Sequence, residues 1–149
     1  MSKKLYLAYG LNINLKQMTE CCPTAKPLGP VDLKDYQLLF RGGHGSSVAT
    51  VEPFKGKRVT CMLWEITPTD ELTLDRYEGF PLLYRKETLK VKFGKKTVET
   101  LVYIMNEDRH LGAPSCYYYG IILEGYKSAD LDIGILKQTV EDSKEDDNG

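Results

Sequence analysis

Apolar and polar positions along this chain fall into runs of two different periods. Leu5 to Tyr9 (LYLAY) is apolar throughout, as in a short strand buried on both faces, and Gly10, Leu11 and Asn12 stand where that strand must exit into a loop. Asn12 can cap a short helix through Cys22 that Pro23 ends. Tyr36–Gly42 reads as a strand of mixed character, GGHGSS as a flexible loop, and Ser47–Phe54 and Arg58–Ile66 as two further strands rich in β-branched residues. The period then changes. Thr67–Gly79 predicts a helix with Thr67 as cap, Pro68 at the first helical position, Asp70 in the first turn, Leu74 and Tyr77 on the buried face and Gly79 as the stop. Glu87–Phe93 and Thr97–Met105 flank Gly94-Lys95-Lys96 and predict a hairpin. Tyr117–Tyr126 (YYYGIILEGY) reads as another strand, with Tyr118 facing opposite to Tyr117 and Tyr119, and Asp132–Lys144 as a closing helix.

About six strands thus follow one another with only three short helices among them. That order points to an α+β fold with a mainly antiparallel or mixed sheet of barrel-like form, rather than a doubly wound parallel sheet. Residues 1–140 read as one domain and 141–149 as an acidic, disordered tail.

Charge narrows the function classes. The 149 residues carry 20 basic and 21 acidic side chains, a net charge of -1. With no basic excess, neither nucleic acid nor an anionic membrane surface is an expected partner. No apolar run approaches the ~20 residues that span a bilayer, and no signal-peptide core follows MSKK, so a cytoplasmic location is expected. Of the four cysteines, Cys21 and Cys22 are adjacent, and adjacent cysteines rarely pair. Without a C-x-x-C pair, and with only His44 and His110 as histidines, the thiols read as reduced residues in or near the core, not as metal ligands.

The chemistry-bearing candidates are few. GGHGSS lacks the G-K-[ST] ending of a phosphate loop and the G-x-S-x-G spacing of a hydrolase elbow. Ser46 or Ser47 with His44 would be a nucleophile and base too close in sequence to hold that geometry. Glu78 is more informative. It ends a helix, where the dipole disfavours negative charge, and the chain then turns under Phe80 and Tyr84. A carboxylate desolvated in that way has its pKa raised toward the range of a useful base.

Three stretches together resemble the gamma-glutamylcyclotransferase-like family: YLAYGLNI (Tyr6–Ile13), LDRYEG (Leu74–Gly79) and PSCYYYGIILEG (Pro114–Gly125). The similarity runs from about Leu5 to Gly125. The resemblance implies a small mixed, mainly antiparallel β-barrel flanked by short helices, with a cavity lined by the first loop and the glutamate. It also implies an intramolecular reaction in which the α-amine of a γ-glutamyl group attacks its own side-chain amide. The products would be 5-oxoproline and a free amine or amino acid. By the same resemblance Glu78 is the general acid and base, and backbone amides of Gly10, Leu11 and Asn12 receive the substrate carboxylate or the oxyanion. Tyr9 would wall the cavity and Tyr118 would bond Glu78 or the substrate, while Tyr84 and Arg85 would line the leaving-group side. Leu11 stands where the family usually has serine. The chemistry is acid–base work that calls for neither cofactor nor metal, and the one partner implied is a small γ-glutamyl molecule.

Overall fold

The computed structural model describes residues 3–43 and 45–144. The pairing of His44 with a serine and the tail beyond residue 144 lie outside the described residues. Strand β1 (Lys4–Ala8) occupies the middle of a five-stranded sheet. It pairs antiparallel with β3 (Val48–Ile66), Lys4 opposite Ile66 and Ala8 opposite Met62, and parallel with β5 (Lys96–Met105), Tyr6 opposite Leu101. A strand flanked on both sides and covered on both faces reads as a continuous apolar run, which is why LYLAY does not alternate.

Strand β2 (Lys26–Arg41) forms a long hairpin with β3, and β4 (Tyr84–Phe93) a shorter one with β5, giving the order β2-β3-β1-β5-β4. The edges approach each other, with Gly29 of β2 beside the Phe93 ring of β4. No ladder joins them among the described residues, so the expected barrel is a curled, open sheet. The two strands expected over 47–54 and 58–66 are one. Its interruption is a local irregularity where β2 shifts register between Lys34 and Tyr36, and Gly56 N donates to the Asp35 carboxylate at 3.0 Å.

The expected strand over Tyr117–Tyr126 is instead helix α3 (Cys116–Ser128). Ser115 caps it by accepting from Tyr118 N at 3.1 Å, and Ile122, Gly125 and Tyr126 recur at helical spacing on its buried side. Gly125 allows close packing, since a Cβ there would lie 2.8 Å from Asn14 N. The first helix, α1 (Leu15–Cys21), is capped by Asn14, not Asn12; Asn12 lies within a single 3-10 turn, Leu11–Ile13. Helix α4 (Ile133–Asp142) carries the chain past residue 140, and Ser143, buried, receives the Phe40 amide at 2.8 Å. The core cluster includes the fully buried Leu7, Phe40, Trp64, Tyr103, Ile122 and Tyr126, with Leu7 on the face of the sheet opposite Trp64 and Tyr103.

Candidate active site

Helix α2 (Pro68–Tyr77) begins with a reciprocal capping box: the Thr67 hydroxyl accepts from Asp70 N at 3.2 Å and the Asp70 carboxylate from Thr67 N at 3.0 Å. It ends in a Schellman arrangement. Phe80 N donates to Asp75 O at 2.9 Å and Gly79 N to Arg76 O at 3.2 Å, with Gly79 at φ +64, a left-handed conformation that favours glycine. Glu78 is the residue between helix and left-handed turn, so its direction is set by the stop itself. Just before it, Asp75 accepts from the Tyr103 hydroxyl at 2.6 Å and pairs with Lys86 at 2.8 Å, tying this end of α2 to β5 and β4. Leu74 is fully buried beneath the helix; Tyr77, expected beside it, is 48% exposed.

Glu78 opens onto a cavity of about 290 Å³. Tyr9, Gly10, Leu11, Asn12, Tyr84 and Tyr118 line it too, so the structure brings together seven of the eight residues expected at the site, Arg85 being the exception. Leu83, Val48 and Ala49 complete the wall with Tyr6, Tyr77 and Tyr103, and Glu78 is the only charged residue among them. The size sits at the lower edge of small-molecule sites, about 300–1,000 Å³.

The first loop is held from below. Trp64 Nε1 donates to Asn12 O at 3.0 Å and Asn12 Nδ2 donates to the Tyr6 hydroxyl at 3.1 Å. Asn14 Nδ2 donates to Ile121 O at 3.0 Å, fixing the turn to α3. Among the described residues, the amides of Gly10, Leu11 and Asn12 donate to no protein acceptor, as the opening of a 3-10 turn leaves them.

The phenols divide by what their protons do. Tyr9 donates to Tyr103 O, Tyr84 to Ala49 O and Tyr103 to Asp75. Tyr6 and Tyr118 instead accept, from Asn12 Nδ2 and from Ala49 N at 2.9 Å, which leaves their own protons for another acceptor. Tyr118 is therefore held by Ala49, and the Glu78 carboxylate takes no hydrogen bond or ion pair among the described residues. Burial, reinforced by the nearby Glu78, pushes the pKa values of Tyr6, Tyr9 and Tyr118 up, so these phenols stay protonated. Burial also pushes Glu78 up to about 7, and negative charge on a Cys21 thiolate adds to the effect.

Arg85 is not part of the cavity. Strand alternation turns it away from Tyr84 onto a separate cleft of about 580 Å³, where Arg41 pairs with Glu52 and Arg85 with Glu87 at 3.0 Å. Sequence reasoning missed the roles of Tyr6 and Tyr103. Tyr6 lay within a quoted motif, whereas Tyr103 reaches the site through the β1–β5 pairing, which leaves no local signal.

The sequence profile of the family described as gamma-glutamyl cyclotransferase, AIG2-like matches residues 6–120. No curated protein matches the chain. Among solved structures, one titled gamma-glutamyl cyclotransferase superposes with a TM-score of 0.81 at 22% identity, covering 98% of this chain and 90% of that one. An uncharacterized protein from Homo sapiens gives 0.81 at 23% identity, with coverage of 99% and 91%. A yeast gamma-glutamyl cyclotransferase described as specific to glutathione gives 0.63 at 12% identity, with coverage of 97% and 98%. At these identities the structural likenesses speak for the fold alone.

Proposed function

The chain belongs to the gamma-glutamyl cyclotransferase, AIG2-like family, and from that premise we propose that it converts a γ-glutamyl amine or γ-glutamyl amino acid to 5-oxoproline and the free amine. The observation that supports this reading is the setting of Glu78: one half-buried carboxylate that, among the described residues, is unpaired and is the one charged group lining the cavity.

The substrate enters as an ammonium, which cannot attack. The Glu78 carboxylate removes one of its protons, and a group whose pKa is about 7 is suited to that task near neutral pH. The freed amine closes on its own γ-carbonyl, a step that gains greatly from orientation, since effective molarities of oriented intramolecular reactions reach ~10⁵ M. The oxyanion is received by the amides of Gly10, Leu11 and Asn12. Glu78, now protonated, returns its proton to the leaving nitrogen as the carbon–nitrogen bond breaks, and the carboxylate then takes the second proton from the ring nitrogen, cationic since the addition, to leave neutral 5-oxoproline. Tyr6 and Tyr118, with protons to spare, donate to substrate oxygens or to the carboxylate. Tyr9 and Tyr84, their protons committed, serve as walls.

The test is 5-oxoproline release by purified protein from a panel of γ-glutamyl amines and amino acids, with Glu78→Gln beside it. Product from the parent and none from the variant supports the reading; equal activity in both overturns it. Leu11 favours a second reading, a binding module without turnover, because serine is the family's usual residue there. In that case a γ-glutamyl ligand raises the melting temperature and is recovered intact.

A further inference from the structure

Helix α1 ends on two adjacent cysteines whose sulfurs lie 3.4 Å apart, with the Cys22 thiol donating to Cys21 Sγ. Their surroundings differ. Cys22 is buried, and its sulfur also approaches the Asp70 carbonyl at 3.7 Å. Cys21 is half-buried and lines an open surface pocket of about 490 Å³ with Gln17, Glu20, Thr73, Arg76 and Tyr77. Cys21 is thus the thiol a small reagent can reach, and the hydrogen bond from Cys22 lowers its pKa, while Cys22 is held as the thiol. An accessible, activated thiol beside a second one is the arrangement of a redox-sensitive pair.

We propose that Cys21 and Cys22 form a redox-modification site in which Cys21 attacks low-molecular-weight disulfides and Cys22 resolves the adduct. The Cys21 thiolate attacks one sulfur of the small disulfide and expels the other half as a thiolate. The adduct takes away the thiolate whose hydrogen bond held Cys22 as the thiol; Cys22 then gives its proton to a thiolate expelled in the reaction, attacks Cys21 Sγ and expels the second half. Two protein thiols become one disulfide, and the small disulfide is reduced to two thiols. The site sits where the backbone can adjust. Cys21 is the last helical residue and Cys22 has already turned to φ -135, ψ 82, so drawing the sulfurs together turns the Cys21–Cys22 peptide at the end of α1, where the bond from Cys22 N to Met18 O is the last of the helix. A disulfide between neighbours is strained, and strained disulfides are the readily reduced, regulatory ones.

The pocket adjoins the cavity through one residue. Tyr77 lines both, and Gln17 Nε2 holds its hydroxyl at 2.8 Å. A group on Cys21 presses on Tyr77 and so on the wall of the Glu78 site. That consequence rests on the proposed cyclotransferase reaction; the thiol chemistry does not.

The test uses 5,5′-dithiobis(2-nitrobenzoic acid) on the full chain carrying Cys116→Ser, since Cys116 is exposed and would react on its own, whereas Cys61 is buried. The expected result is release of two thionitrobenzoate ions per chain, no adduct left, and a mass lower by two hydrogen atoms, reversed by dithiothreitol. Adding Cys22→Ser leaves a stable adduct on Cys21, with a lifetime about tenfold or more that of the adduct when Cys22 is present. Peptide mapping of the unsubstituted protein after the same treatment locates the new disulfide, whatever the variants' folding. A Cys21 adduct that persists equally with and without Cys22, or two thiols that do not react, overturns the proposal. A loss of 5-oxoproline formation on oxidation tests the link to the cavity separately.

Discussion

Replacing Glu78 with glutamine should make the protein more stable while removing its activity. Burial raises the folded-state pKa from 4.5 to about 7, whereas the unfolded chain keeps the ordinary value. Between those limits the folded state binds more protons than the unfolded state, so stability falls as pH rises. The contribution is intact below pH about 4.5 and gone above pH about 7. A shift of that size corresponds to about 3 kcal/mol, which for a protein of this length is roughly 6–12 °C in melting temperature. Glutamine keeps the shape and does not ionise. Urea denaturation of parent and Glu78→Gln at intervals from pH 4.5 to 8.5 should therefore give curves that meet at the acid end and separate steadily, the variant ahead by about 3 kcal/mol at pH 8. Parallel curves would refute the desolvation of Glu78, and with it the reason for regarding this carboxylate as a tuned base.

The remaining expectations concern the same neighbourhood. For the proposed reaction, kcat/KM of the parent protein should rise with pH and level off above about 7, because the base of the free protein must be ionised; a flat profile in buffered assays would count against Glu78. Gly10→Ala places a methyl 3.2 Å from Ala49 Cβ and 3.5 Å from the Tyr118 hydroxyl, so KM should rise about tenfold, read from initial rates. Tyr118→Phe strips the Ala49 amide of its acceptor; urea unfolding should show a loss of about 1–2 kcal/mol, with kcat/KM down about tenfold. Thr67→Ala removes one half of the α2 capping box, costing about 1 kcal/mol in calorimetry, with kcat unchanged below the melting transition.

How much of this was legible in the sequence depended on whether the signal was local. The start of α2, with Thr67, Pro68 and Asp70, and its stop at Gly79 are written in contiguous residues, and Glu78 could be singled out for that reason. The run YYYGIILEGY was misread because aromatic and β-branched residues suggest a strand, although Ser115 already supplied a helix cap and Ile122, Gly125 and Tyr126 recur at helical spacing. The first half of β2, KPLGPVDLK, gave no strand signal, since two prolines and a glycine argue against one. It is an edge strand, where proline is tolerated. At the site, Tyr9 to Asn12 were found as a strand exit. The pairing of Tyr103 with that exit depends on β1 lying beside β5, ninety-odd residues away, and no local pattern encodes it.

The clamp of α3 on the first loop has a consequence in time. Asn14 reaches Ile121, Gly125 lies against the Asn14 backbone, and Tyr118 takes the Ala49 amide. In a chain being synthesised, β1 and its exit loop precede α3, so the Glu78 cavity gains Tyr118 as a wall only once that helix has been made. A product that stops before α3 therefore lacks Tyr118 from the cavity wall and the Asn14–Ile121 bond that holds the first loop.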